Sequence, residues 1–226
     1  MHPQPLNNEL IISYLNLRQA IGWLGLLMPL VVRLGARVCE GIPSNESISA
    51  YYYTSMRDVF VGTLAAIGVF LFCYRGPDRQ DKVLTNVAGL CAIAIGLFPT
   101  ERIYHPLILQ RFANVLSPEC YSNHGPIGFH IYIVAAFFLL ISYLTIFRFR
   151  KQSVPYLTKQ KLSRNKIYVA CGIVMVVMLI AIVAIKAEGK QHSIFWPETI
   201  AIVAFGIAWL TKGQAILKDK DIIASN

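Results

Sequence analysis

The chain has 226 residues, 55% of them hydrophobic and 15% charged, with a formal net charge of +9 and a mean hydropathy of +0.52. A soluble domain carries about 25% charged residues, so the composition excludes an ordinary soluble globule, and apolar blocks of roughly span length between charged loops point to a polytopic membrane protein. The basic excess is what the cytoplasmic loops of such a protein need, so no nucleic-acid partner is expected.

The reading is an all-α, polytopic transmembrane bundle of about six spans, forming one domain over residues 1–226. The first predicted span covers residues 19–36, with Trp23 near its start, Pro29 inside it and Arg33 one turn later. An arginine at that depth is costly without a partner, and Asp58 or Glu198 is the expected one. Met1-His2-Pro3-Gln4 lacks a basic n-region and Val38 precedes Cys39, so neither a cleaved signal peptide nor a lipoprotein-type site is expected.

Next comes Ser49-Ala50-Tyr51-Tyr52-Tyr53-Thr54-Ser55-Met56-Arg57-Asp58, which runs into the second span, residues 59–74, and carries the densest polar and aromatic chemistry beside any span. The tyrosines read as an interfacial aromatic belt and Ser55 as a helix cap. Arg57 and Asp58 belong at headgroup level or facing a polar cavity. The remaining spans cover residues 83–99, 126–147, 167–185 and 197–211. Gly62, Ala65, Ala66 and Gly68 on the second span, with Asn86, Gly89, Ile93, Gly96 and Thr100 on one stripe of the third, allow close approach and place this pair at the centre. The fifth span is apolar all round and is expected to face lipid and carry no chemistry.

Orientation follows from lysine and arginine. Arg75, Arg79 and Lys82, then Arg148, Arg150, Lys151, Lys159, Lys161, Arg164 and Lys166, then Lys212, Lys218 and Lys220 all fall on one side of six spans. The positive-inside rule makes that side, and both termini, cytoplasmic. The opposite ends of the spans collect Arg33, Arg57, Asp58, Thr100, Glu101, His124, His130 and Glu198. These residues form either a site at the outer face or a structural ion-pair network. Glu198, directly after Pro197, is also an ordinary first-turn acid.

His124, His130 and Asp58 have the ligand chemistry to hold zinc and activate a water, with Glu198 or Glu101 in support. Their spacing matches no diagnostic metal motif, and nucleotide-binding and nucleophile-elbow motifs are absent. Ser49 and Ser55 lie on the same side as His130 and are candidate nucleophiles. Cys39 and Cys120 both fall in loops on the outer side, the oxidising compartment of a bacterium, and are expected to form a disulfide.

Tyr51-Tyr52-Tyr53-Thr54 with Met56-Arg57-Asp58-Val59-Phe60-Val61-Gly62, then Tyr74-Arg75-Gly76, Gly96-Leu97-Phe98-Pro99-Thr100, His130 with Phe137-Phe138, and Phe205-Gly206-Ile207-Ala208-Trp209-Leu210 with Lys212-Gly213 resemble a family of bacterial multi-spanning proteins classed as a domain of unknown function. That resemblance implies about six helices in a bacterial inner membrane and no particular activity. A remoter likeness is to the alkaline-ceramidase-like membrane hydrolases, whose Ser, Asp and His residues surround a metal. The chain departs from them in lacking a histidine pair on the last span and a Ser followed four residues later by His on the second. Two functions follow as expectations. The first is a binding, transport or assembly protein that holds a lipid or small-molecule ligand. The alternative is a metal-assisted hydrolase of a lipid amide or ester, with Asp58, His130 and Glu198 as its catalytic groups.

Overall fold

The computed structural model describes residues 5–98, 129–151, 159–188 and 193–217. Among them it contains no strand and six α-helices: α1 Pro5–Glu40, α2 Arg57–Cys73, α3 Arg79–Leu97, α4 Phe129–Tyr143, α5 Lys159–Ala187 and α6 Phe195–Lys212. A 3-10 helix, Ser49–Tyr53, precedes α2, and a π-helical turn, Leu144–Arg148, continues α4. The protein is an all-α helical bundle. Three stretches, Ile12–Glu40, Phe129–Arg148 and Lys159–Ala187, are long and apolar enough to cross a membrane.

The outer surface agrees with a membrane setting. Large apolar side chains are exposed on every helix, among them Trp23 and Leu30 on α1, Val69 on α2, Leu90 on α3, Leu139 on α4, Ile180 on α5 and Ile200 on α6. A soluble monomer rarely exposes so extended an apolar surface.

Each helix packs against its neighbours in the chain, and α1 closes on α6, so the bundle is a ring. The close approach of α2 to α3 occurs as the small residues suggest: a Cβ added to Gly68 would lie 2.8 Å from the Gly89 carbonyl oxygen. The central position expected for this pair is corrected, because in a ring no helix is central. An equivalent contact joins α1 to α6, where a Cβ on Gly206 would lie 2.8 Å from the Gly22 carbonyl oxygen. Helix α5 presents Tyr168, Cys171, Met175, Leu179 and Ile182 inward and Ile173, Val177 and Ile180 outward.

The starts of α2, α4 and α6 meet the ends of α1 and α3 at one end of the ring, the serine end. At the other, basic end, Arg148 bonds to Asp78, Asp81 and Gln80, and Lys151 to Asp78. Lys151 first, and Arg148 beside it, hold the Asp78 carboxyl below the usual carboxylate range. Lys212 lies over the Phe149 and Tyr168 rings, and Arg18 lies over Tyr14 and Tyr74.

Three local expectations are corrected. Tyr51 is fully buried rather than interfacial; its ring meets Phe195 edge-on and its hydroxyl accepts from the Asn45 N–H at 3.3 Å. Ser55 does not cap α2, which follows Met56, and its N–H donates to the Glu40 carboxylate. Thr54 shapes the turn instead, donating to the Tyr51 carbonyl at 2.8 Å and accepting from the Met56 N–H at 3.1 Å. Arg33 finds rings where a carboxylate was expected: its guanidinium lies 4.9 Å from the Phe195 centroid and 5.3 Å from that of Trp196. Neither Asp58 nor Glu198 is among its partners, because Glu198 is occupied by the loop and Asp58 is exposed. The aromatic faces offer the cation a weaker electrostatic partner.

Candidate functional site

The site begins where α1 stops. Gly41 takes a positive φ of 69° while its N–H still bonds the Arg37 carbonyl, a glycine ending that a side chain would strain. The chain then turns back onto the start of α6, where the Glu46 carbonyl accepts from the Ile194 N–H at 2.7 Å and the Ser193 hydroxyl at 3.2 Å. This docking brings Ser47, Ile48 and Ser49 over the mouth of the ring.

Glu198 sits in the first turn of α6 but does not cap its own helix. Its carboxylate accepts from the Ser47 hydroxyl at 2.8 and 3.0 Å and from the Ile48 N–H at 2.6 Å. The Ser47 oxygen accepts in turn from the Ser49 N–H at 3.1 Å. On the other side of this segment, Ser49 Oγ lies 2.9 Å from His130 Nε2, and His130 Nδ1 lies 2.6 Å from the Phe98 carbonyl oxygen. A carbonyl only accepts, so Nδ1 carries the proton, and in the neutral form of the ring Nε2 turns its lone pair toward the Ser49 hydroxyl. Ser47, Ser49, His130 and Glu198 are all buried. Buried polar groups need partners, and here one thread of hydrogen bonds runs from α6 through the loop to α4 and the end of α3.

Beneath the thread lies a narrow, partly open cavity of about 50 Å³. Gly25 and Met28 of α1, Phe60, Leu64 and Ile67 of α2, Ile95 of α3, Val134, Phe137 and Phe138 of α4, and Ile202 and Phe205 of α6 line it. Ser49 and Glu198 are its polar lining side chains, both at the serine end. Its lining, an apolar body with a few polar groups at one end, is the kind that small-molecule sites use. Helix α5 takes no part in it.

The structure brings together only part of the residue set expected from sequence. His130 and Glu198 share the thread, separated by Ser47 and Ser49. Asp58 is exposed and is not among the hydrogen-bond partners of the thread. Arg57 is occupied by Tyr52, with its Cζ 4.7 Å from the ring centroid and an N–H donated to the hydroxyl at 2.9 Å. Thr100, Glu101, His124 and Cys120 lie outside the described residues, so the Cys39–Cys120 pairing and the His124 ligand do too; Cys39 itself is exposed at the end of α1.

His124, one of the three expected zinc ligands, lies outside the described residues, so only His130 and Asp58 of that set can be placed. Among the described residues no three His, Cys, Asp or Glu side chains converge. Both His130 nitrogens have partners, so a metal would have to displace Ser49 or the Phe98 carbonyl. Asp58, the carboxylate expected beside it, is exposed whereas His130 is buried.

Sequence reasoning missed Ser47 and the Phe98 carbonyl. The first had a signal: Ser44, Asn45, Glu46, Ser47 and Ser49 crowd the loop just before the tyrosines. A backbone carbonyl leaves none. Comparison with protein-family models, with curated proteins and with solved structures found no match for this chain.

Proposed function

We propose that this protein binds one amphipathic ligand, a lipid or lipid-like small molecule, and acts through that binding in transport or assembly. The observation that carries the reading is the narrow, partly open cavity between α1, α2, α3, α4 and α6, lined by apolar side chains apart from Ser49 and Glu198. An acyl chain in the apolar part leaves a polar head beside the buried carboxylate and hydroxyl. Burial of such a chain supplies about 0.8 kcal/mol per methylene.

The setting proposed is a bacterial cytoplasmic membrane crossed six times, with both termini inside and the serine end outward. Arg18, Arg148, Lys151 and Lys212 at the end opposite Ser49 support that orientation.

Photocrosslinking tests the binding. The purified chain is irradiated with a phospholipid carrying a diazirine on its acyl chain, and the adducts are mapped by mass spectrometry. Adducts are expected on Leu64, Val134 or Ile202, and Ile202→Trp, which fills the cavity, should reduce them roughly tenfold, equivalent to about 1.4 kcal/mol of affinity. Adducts confined to outward residues such as Trp23 and Ile180, unchanged by Ile202→Trp, would overturn the reading.

A further inference from the structure

The buried hydroxyls of the bundle differ in their partners: Ser47 donates to the Glu198 carboxylate and Ser142 has no hydrogen-bond partner among the described residues. Thr85, Thr145 and Thr211 donate to carbonyls of their own helices, Asp81, Ile141 and Ile207 respectively. That is the ordinary arrangement for a hydroxyl in an apolar helix. Ser49 is different. It lies on the short 3-10 helix, it is the one hydroxyl among the described residues lining the cavity, and its oxygen faces a histidine nitrogen at 2.9 Å.

The three groups needed to activate an alcohol stand in line: Ser49 Oγ, the His130 ring and the Phe98 carbonyl that fixes the ring's tautomer. A nucleophile within hydrogen-bond reach of a base, with that base oriented by a third group, is the general signature of nucleophilic catalysis. Here a backbone carbonyl takes the orienting place that a carboxylate fills in the Ser-His-Asp arrangement.

We propose that Ser49 is the nucleophile and His130 the general base of an acyl-transfer reaction on an ester whose acyl chain occupies the cavity. The inference rests on the binding reading above and adds a reaction to it. His130 Nε2 takes the Ser49 proton as Oγ forms a bond to the acyl carbon. The ester C–O bond then breaks, and the departing alcohol leaves with the proton held on Nε2. Water from the mouth of the cavity repeats the sequence on the acyl-serine: His130 takes its proton, the acyl–Oγ bond breaks, and the proton returns to Ser49 as the free acid departs. No electrons are exchanged and no further reactant is required. Ser47 and Glu198 act as positioning residues, because their bonds to the Ser49 and Ile48 N–H groups hold the segment that carries the nucleophile.

A long-chain alkyl fluorophosphonate tests this on the purified full chain in detergent. The reagent forms a P–O bond to an activated serine and expels fluoride. A single adduct on Ser49 of the wild-type protein is expected, with labelling lost in Ser49→Ala and retained in Ser55→Ala. His130→Gln should slow labelling roughly 10²-fold or more, the contribution of a positioned base. Site mapping on the wild-type chain needs no variant, so a misfolded variant does not weaken the test. An unlabelled Ser49 in protein that still gives cavity adducts with the diazirine lipid would overturn the reaction and leave the binding intact. Labelling of Ser49 at the same rate in wild type and in a folded His130→Gln chain would overturn the role of the histidine. Loss of both cavity adducts and Ser49 labelling would overturn both readings together.

Discussion

Glu198 and Asp58 are both first-turn acids on their helices, and what stands opposite each one separates them. Asp58 faces solvent or headgroups, whereas Glu198 is buried against the Ser47 hydroxyl and the Ile48 N–H. Removing an acceptor that leaves buried donors unpaired costs about 1–3 kcal/mol for each donor. Glu198→Ala is therefore expected to lower stability by roughly 2–4 kcal/mol, and Asp58→Ala to change it by less than about 0.5 kcal/mol. Thermal unfolding of the two variants in the same detergent, followed by circular dichroism, checks the contrast; equal melting temperatures would contradict the thread of bonds described. That Glu198 starts a helix was legible from Pro197-Glu198. That its carboxylate reaches across to the preceding loop was not, because the partner lies 151 positions away in the chain.

At the scale of elements, hydropathy blocks fell within every α-helix of the described residues, since apolar runs bounded by charged loops leave few alternatives in lipid. Their lengths were less legible. Helix α1 extends over 36 residues where 18, from 19 to 36, were predicted, because its polar ends can satisfy their backbone within the helix and need no apolar pattern. Small residues correctly marked the α2–α3 contact but did not announce the pairing of α1 with α6, where Gly22 and Gly206 meet. Gly206→Ala is expected to cost about 1–3 kcal/mol by overpacking, since its Cβ would lie 2.8 Å from the Gly22 carbonyl oxygen and 2.9 Å from the Leu26 nitrogen. Gly62 has open space around its missing Cβ, so Gly62→Ala should be neutral or stabilising by up to about 1 kcal/mol from helix propensity. Melting temperatures of the two alanine variants should move in opposite directions or differ by several degrees; a shared shift would show that the α1–α6 contact is not tight.

For the whole molecule, the proposed orientation predicts that Lys159→Cys, exposed at the start of α5, resists a membrane-impermeant maleimide applied to intact cells. Ready labelling would turn the serine end, and the cavity with it, toward the cytoplasm. By itself, the sequence determined that the chain is helical, that it belongs to a membrane and which end of the bundle gathers the basic residues. These properties follow from hydropathy summed over span-length windows and from charge in the loops between them, both of which are local. Only the tertiary structure decided that α1 closes on α6, that a partly open cavity lies between the helices, and that His130 and Glu198 meet Ser47 and Ser49 rather than Asp58. Ring closure depends on which helix faces fit one another, and a hydrogen bond on the final position of single atoms. Neither is set by composition or periodicity along the chain, because both arise from packing between residues distant in sequence.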